Sequence, residues 1–376
     1  MLKSTEQDSV WHAEGDVHTH TQMVMDAVVD LIQNEAAHLS ESDQQILFWA
    51  AVLHDIGKPK TTKVVEEDRV YVKAPQHEIV GAGILLHTKP LDNLSGSQWL
   101  QIIKLVAYHQ KPKHLVLDDA KQYKYIELLR DIGNFELMYL LEKADIIGRH
   151  CQDKEAQLEL IELFWLECQD LGVKTYDEYL EQSKTTLIKA AGNLTISESD
   201  IHRAITGVCE GDIFMLEESL SKQYMFESRP EIELTVGCSG SGKSTYIQKQ
   251  LKDNSVVISY DDIREKLFGN RQHQGDFDIV KRESESQLKQ ALRENKHILW
   301  DATSTRIDFR SKVIATARAY GAFVKIVVFV KSKEQLLKDN NDREFAIPSD
   351  ALLDQISNYQ LPTNKESHKI DWIIIT

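Results

Sequence analysis

Ile232-Glu233-Leu234-Thr235-Val236-Gly237-Cys238-Ser239-Gly240-Ser241-Gly242-Lys243-Ser244-Thr245 is the stretch that settles the architecture of the C-terminal half. Its first five residues, rich in Ile, Leu and Val, read as a buried strand. The strand runs straight into Gly237-x-x-x-x-Gly242-Lys243-Ser244, the pattern of a loop that cradles phosphates. Gly237, Gly240 and Gly242 let successive backbone N–H groups curl around a di- or triphosphate. Lys243 reaches the outer phosphates, and the Ser244 hydroxyl ligates Mg²⁺. The helix expected from Lys243 through Thr245 to about Leu251 turns its positive end to the same anion. The ligand implied is ATP or another nucleoside triphosphate.

Downstream of the loop, Ser255–Ser259, His297–Trp300, Val324–Val330 and Asp371–Ile375 read as strands, with a helix over Phe277–Arg293. This alternation predicts an α/β domain with a parallel sheet of about five strands. Tyr260-Asp261-Asp262-Ile263-Arg264 follows the second strand at its carboxyl edge, where open α/β sheets bind ligands. Asp301 ends the third strand and either supports Mg²⁺ or holds loop hydroxyls. Arg343 lies after the fourth strand, on a segment suited to a lid closing over phosphates.

A chain of 376 residues, 42% hydrophobic and 27% charged, fits two soluble domains. No apolar run approaches the length of a membrane span, and the N-terminus lacks a signal-peptide hydrophobic region. A cytoplasmic protein with no membrane partner is therefore expected. Four scattered cysteines without C-x-x-C spacing argue against a disulfide framework or structural zinc. Residues 229–376 hold 23 Lys and Arg against 21 Asp and Glu, a net of +2, while residues 1–228 hold 21 against 38, a net of −17. An acidic surface repels phosphate backbones, so a nucleic-acid substrate would be gripped over only a few nucleotides near an end. The acidity equally suits a plain solvated surface.

In the N-terminal half, apolar residues recur at helical spacing from Val17 to Asn34, with His20 near the start. Further helices are expected over Ser42–Ile56, Pro75–Leu86, Ser97–Tyr108 and Phe135–Ile147, with a short hairpin of Val64–Glu67 and Arg69–Val72 around Glu67-Asp68. His54-Asp55, His77, His109 and Asp145 fall on or just beyond these helices. Imidazole and carboxylate ligands suit Mn, Fe, Co, Ni or Zn. Residues 151–225 read as more helices, among them Lys154–Leu166, Tyr176–Gln182 and Met215–Lys222, without a chemical constellation.

The spacing His20…His54-Asp55…Asp145 resembles the HD phosphohydrolase superfamily, over about residues 12–150. The resemblance implies an all-α metal-dependent phosphohydrolase. His20, His54, Asp55 and Asp145 would hold one divalent metal, and His77 and His109 a second, with Asp55 bridging. Two cations clamp a phosphoryl group and acidify a water. Lys58 and Arg149 would touch phosphate or else serve as surface and helix-end charges. His18 and His114 are left out of the site as solvent-facing.

The order of phosphate loop, S-x-D-D-x-R, D-A-T-x-T-x-x-x-x-R and a lid Arg before Pro348 resembles the 5′-OH polynucleotide kinase branch of P-loop phosphotransferases. It spans essentially all of residues 231–376. By that resemblance Asp261 is the general base, Arg264 contacts the acceptor's terminal phosphate, Arg343 is the lid arginine, and Thr303 and Arg310 border the acceptor. The family's usual Asn after D-A-T is Ser304 here.

Together the halves resemble bacterial HD-Pnk end-healing enzymes. That implies domains 1–228 and 229–376, meeting at Glu227-Ser228-Arg229-Pro230, and action on RNA or DNA ends. One half would remove a 2′,3′-cyclic or 2′/3′-phosphate and the other phosphorylate a 5′-OH. No K-x-D-G ligase element occurs, so a separate ligase is expected. Two rivals are a metabolic nucleoside or nucleotide kinase fused to an HD nucleotidase, and an ATP-switched binding protein.

Overall fold

The computed structural model describes residues 1–67, 70–221, 229–273, 275–343 and 345–375. Packing divides the chain into two units, Met1–Leu86 with Pro90–Gln182, and Ser183–Thr376 with His87–Lys89. Among the described residues, no helix is long and apolar enough to cross a membrane.

The first unit is helical. It contains α1 (Val17–Asn34), α2 (Glu41–Leu53), the single turn α3 (Lys58–Thr61), an antiparallel hairpin of β1 (Lys63–Glu66) and β2 (Val70–Lys73), then α4 (His77–Leu86) and α5 (Gly96–Tyr108). After these come α6 (Lys111–Leu117), α7 (Gln122–Ile132), α8 (Phe135–Ile147), α9 (Lys154–Asp170) and the first part of α10 (Tyr176–Ala191). Of the expected hairpin turn, Asp68 and Arg69 lie outside the described residues. The helix starts are written in the sequence. Asp16, Ser40 and Asn134 each accept a hydrogen bond from the third residue beyond them, and Ser95 with Gln98 forms a capping box. The core is apolar on the facing stripes: Val24, Val28 and Leu31 of α1, Leu47 and Ala50 of α2, Ile102 and Val106 of α5, Met138 and Leu141 of α8.

Two close approaches decide where the polar ends of these helices meet. A Cβ on Gly57 would lie 2.0 Å from the His77 carbonyl oxygen, so only glycine lets the turn after α2 press on α4. A Cβ on Gly148 would lie 2.6 Å from a Val24 methyl, which fixes glycine where α8 ends against α1.

The second unit continues α10 and adds α11 (Glu198–Glu210) and α12 (Glu218–Ser221), then β3 (Glu231–Val236), α13 (Lys243–Gln250), β4 (Ser255–Ser259), α14 (Tyr260–Phe268) and α15 (Phe277–Arg293). It closes with β5 (His297–Asp301), α16 (Ile307–Ala319), β6 (Phe323–Lys331), α17 (Lys333–Asn341), α18 (Ser349–Ser357) and β7 (Lys369–Ile375). The sheet is five-stranded and wholly parallel, in the order β4-β5-β3-β6-β7. Its inner strands are near-continuous apolar runs, as burial on both faces requires, and the phosphate loop leaves the central strand β3.

The expected 228/229 boundary falls inside this unit, and Glu227 and Ser228 lie outside the described residues. Residues 183–221 side with the sheet because α11 packs on it: Arg203 donates to the Gly321 carbonyl at 3.0 Å and stacks over Phe323, and Lys369 pairs with Glu198 at 2.5 Å. Of the helix expected over 215–222 only Glu218–Ser221 forms, and Lys222 lies outside the described residues.

Candidate functional sites

Six side chains expected to bind metal converge in the helical unit. All are buried. His20 Nε2 lies 2.9 Å from Asp145 Oδ1, 3.3 Å from His54 Nε2 and 3.6 Å from Asp55 Oδ2. His77 Nε2 lies 3.2 Å from both His109 Nε2 and Asp55 Oδ1. Two donor groups thus share one carboxylate: His20, His54 and Asp55, and Asp55, His77 and His109.

The rings are aimed by the backbone. His54, His77 and His109 each donate Nδ1–H to the carbonyl three residues earlier, on Ala51, Ala74 and Val106, at 2.8–2.9 Å. This turns Nε2, the atom that could ligate a metal, toward Asp55. Neither Asp55 oxygen has a hydrogen bond of proper geometry, although Lys58 Nζ is 2.7 Å from Oδ2. A buried carboxylate ringed by imidazole nitrogens and the Lys58 ammonium is a donor set that fits divalent metal.

Electrostatics agree. Burial pushes Asp55 toward its neutral form, but the His54 and Lys58 charges win and hold it well below the usual carboxylate range. Asp145 is likewise held low against burial by Arg149, which grips its carboxylate, and by His20. Burial opposes the His20 cation, yet hydrogen bonds with Asp145 and Glu14 push it up to about 9. A proton there sits where a cation would replace it. His109 is driven down by burial and by the neighbouring His77 and His54, which favours its neutral form.

Some partners escaped the sequence reading. Glu14 Oε1 lies 3.0 Å from His20 Nδ1 and 2.8 Å from His12 Nδ1, and Glu14 Oε2 accepts the His150 N–H at 2.9 Å. Glu142 is fully buried beside Lys113 at 3.4 Å, and burial raises its pKa to about 7. The signal for Glu142 was its place one helical turn before Asp145. Glu14 had none, because it lies in the non-helical segment ahead of α1, where no helical spacing ties it to His20. A cavity of about 250 Å³ adjoins the centre, lined in part by Lys58, His77 and Arg149.

In the sheet unit the phosphate loop has the expected shape, with Gly240 and Gly242 at φ +83° and +92°. Gly237 N–H donates to the Thr303 carbonyl at 2.9 Å, and Thr245 is exposed in the first turn of α13. Lys243 donates to the loop's own Cys238 carbonyl at 2.9 Å, and burial lowers its pKa while Asp301 opposes. Ser244 Oγ donates to Asp301 Oδ2 at 3.0 Å, which joins the two groups a P-loop uses for Mg²⁺. Arg343 is exposed and close enough for its charge to act on Lys243.

Asp261 and Arg264 lie one turn apart on α14 and pair at 2.7 Å, with the Asp261 side chain 59% exposed. Thr303 reaches the loop only through its backbone. Ser304 sits at φ +47°, a left-handed position that Asn adopts more readily. Arg310 is a correction. Expected to border the acceptor, it is 1% exposed and forks onto Glu366 at 2.5 and 2.9 Å, with further bonds to the Ser304, Thr305 and Leu361 carbonyls. Its guanidinium clamps two loops and has no donors left for substrate.

A helical unit built around clustered histidines and carboxylates is thus joined in one chain to an α/β unit with a phosphate-loop motif. Residues 17–161 match the HD domain family, and residues 232–362 match the AAA domain family. Such domains imply divalent metal and nucleotide use. Among solved structures, one described as "Structure of Pnkp1/Rnl/Hen1 complex" is similar at 27% identity, over 29% of this chain and 38% of that one, with a TM-score of 0.27. Another, "Structure of the Pnkp1/Rnl/Hen1 RNA repair complex", shows 22% identity over 36% of this chain and 49% of that one, with a TM-score of 0.32. The match spans less than half of either chain.

Proposed function

We propose that this chain heals broken polynucleotide ends, with a two-metal phosphohydrolase in the helical unit and a 5′-OH kinase in the sheet unit. The observation that carries the reading is the shared Asp55 carboxylate, placed between two histidine groups beside a cavity that presents Lys58 and Arg149. His20, His54, Asp55 and Asp145 hold one cation, and His77, His109 and Asp55 the other. Two such cations, Mn, Ni, Co, Fe or Zn, supply charge neutralisation at a phosphoryl group and lower the pKa of water. The protein's own share is to keep Asp55 ionised, to aim the imidazole Nε2 atoms toward it, and to bind phosphate oxygens through Lys58 and Arg149.

In the sheet unit, the Gly237–Ser244 loop cradles the triphosphate of ATP or another NTP, and Ser244 with Asp301 holds Mg²⁺, which offsets phosphate charge. Lys243 leaves the Cys238 carbonyl for the outer phosphates. Asp261 accepts the proton of the attacking 5′-hydroxyl while Arg264 turns to the acceptor's phosphate and Arg343 closes on the transferred group. The products, 3′-OH and 5′-phosphate ends, are those a separate ligase joins.

Two incubations test the reading. With γ-labelled ATP, label should pass to a 5′-OH oligonucleotide. With Mn²⁺, phosphate should be released from a 3′-phosphorylated or 2′,3′-cyclic end. Label on free nucleosides alone would favour the metabolic kinase. Nucleotide binding with neither turnover would favour the binding protein.

A further inference from the structure

The segment ahead of α1 carries no motif, yet it forms one wall of the cavity beside the metal centre. An antiparallel bridge joins Glu6 to Asp16 and closes the segment on itself. Asp8 accepts the Val72 N–H at 3.3 Å, and Ala13 N–H donates to the His150 carbonyl at 3.0 Å, so the loop is tied to β2 and to the chain after α8. Thus held, it brings Gln7, Trp11 and His12 to the cavity.

Two of these side chains have capacity to spare. Gln7 Oε1 accepts from Lys58 Nζ at 2.7 Å, while its buried Nε2 has no partner. An unmatched buried donor is destabilising, and that cost disappears when a ligand supplies an acceptor. Trp11 is 46% exposed, whereas Trp99 and Trp300 are core residues at 2% and 1%. An indole on the wall of a cavity beside the clustered histidines offers an apolar face to a planar ring.

We propose that this pocket holds the terminal nucleoside of the polynucleotide, its base stacked on Trp11 and an oxygen accepting from Gln7 Nε2, while Lys58 and Arg149 take the phosphate. The proposal deepens the phosphohydrolase reading above and rests on it. The volume, about 250 Å³, is near the lower end of the range of about 300–1,000 Å³ usual for small-molecule sites, which suits a single terminal residue. Every base has a π-face, so such a platform separates nucleotides from bare sugar phosphates without choosing among bases.

The test is a titration of metal-free, full-length protein with a 5′-phosphorylated oligonucleotide whose last residue is a 2-aminopurine nucleotide 3′-phosphate. Stacking on Trp11 should quench the probe. Trp11→Ala should lose the quench and weaken binding about 5- to 150-fold, the loss expected of one base–aromatic stack. Trp11→Phe should keep most of both, which separates the role from a folding defect. An oligonucleotide with an abasic 3′ end should bind wild type and Trp11→Ala alike. Unchanged quench and affinity in Trp11→Ala overturns the proposal. Should the Trp11-dependent quench appear while the Mn²⁺-loaded wild type releases phosphate from no ester, the pocket stands and the hydrolase reading falls.

Discussion

The proposed metal centre of the helical unit and the proposed nucleotide site of the sheet unit are finished to different degrees. In the first, all six proposed ligands are at most 8% exposed, and the ring nitrogens already face Asp55. In the second, Lys243 bonds its own loop, Asp261 and Arg264 occupy each other, and Arg343 lies in solvent. The contrast follows from what each site meets. A bare cation brings no shape, so its ligands must be gathered in advance. A nucleotide brings charge and shape enough to pull side chains into new partnerships. The helical site stores its specificity in the fold, and the sheet site acquires part of it on encounter.

The widest test of that contrast is a crossed pair of substitutions. Arg343→Ala should lower 5′-OH phosphorylation about 10³-fold, as loss of a charge-stabilising arginine does, and leave phosphate release intact. Asp55→Ala should lower phosphate release by more than about 100-fold, beyond what loss of an outer partner costs, and leave the kinase intact. Labelled-end assays read both, and Asp55→Ala retaining near wild-type phosphate release would remove the metal-centre assignment.

Next in size is Arg264→Ala. It should reduce phosphorylation of a 3′-nucleotide or oligonucleotide about 10- to 150-fold and change that of a free nucleoside little, since only the former offers a phosphate to grip. Equal losses on both would turn the reading toward a metabolic kinase. Smaller still, Glu14→Gln should weaken the first metal position about 10-fold in competition with a chelator, at the low end for a partner behind a ligand. An unchanged affinity would mean that Glu14 holds only the loop.

The smallest effect concerns a buried charge away from either site. Burial raises the Glu233 pKa, but bonds from His297 and Tyr246 prevail and bring it from 4.5 to about 2. A carboxylate with a lowered folded pKa stabilises fully above its unfolded value, and that stability is lost as pH falls through the folded one. The melting-temperature gap between wild type and Glu233→Gln should therefore narrow between pH 4.5 and pH 2. A gap constant across that window would show that the charge adds nothing.

What the sequence disclosed depended on how local each signal was. The phosphate loop is contiguous, so its strand, glycines, Lys243 and Ser244 were legible together. The proposed metal ligands come from separate helices and were legible only as a spaced pattern, although α1, α2, α5 and α8 start at the capping residues Asp16, Ser40, Ser95 and Asn134. Arg310 misled because its motif position lies beside the acceptor segment, while Glu366, which consumes it, is 56 residues away. Glu14 was invisible for another reason: it precedes α1 outside any helical register, although His12 and His20 are only two and six residues away. The unit boundary was set by polar contacts of α11 with the sheet, which no composition shift marks.

The Nδ1 bonds of His54, His77 and His109 have one more consequence. Each ring takes its bearing from a carbonyl three residues back on its own stretch of chain. Direction is thus inherited locally, and only position is negotiated between helices. A drift of one helix during evolution or thermal motion displaces a single ligand without mis-pointing the rest. The centre behaves as an assembly of pre-aligned parts, and such an assembly tolerates errors in placement that one relying on mutual contacts for aim would not survive.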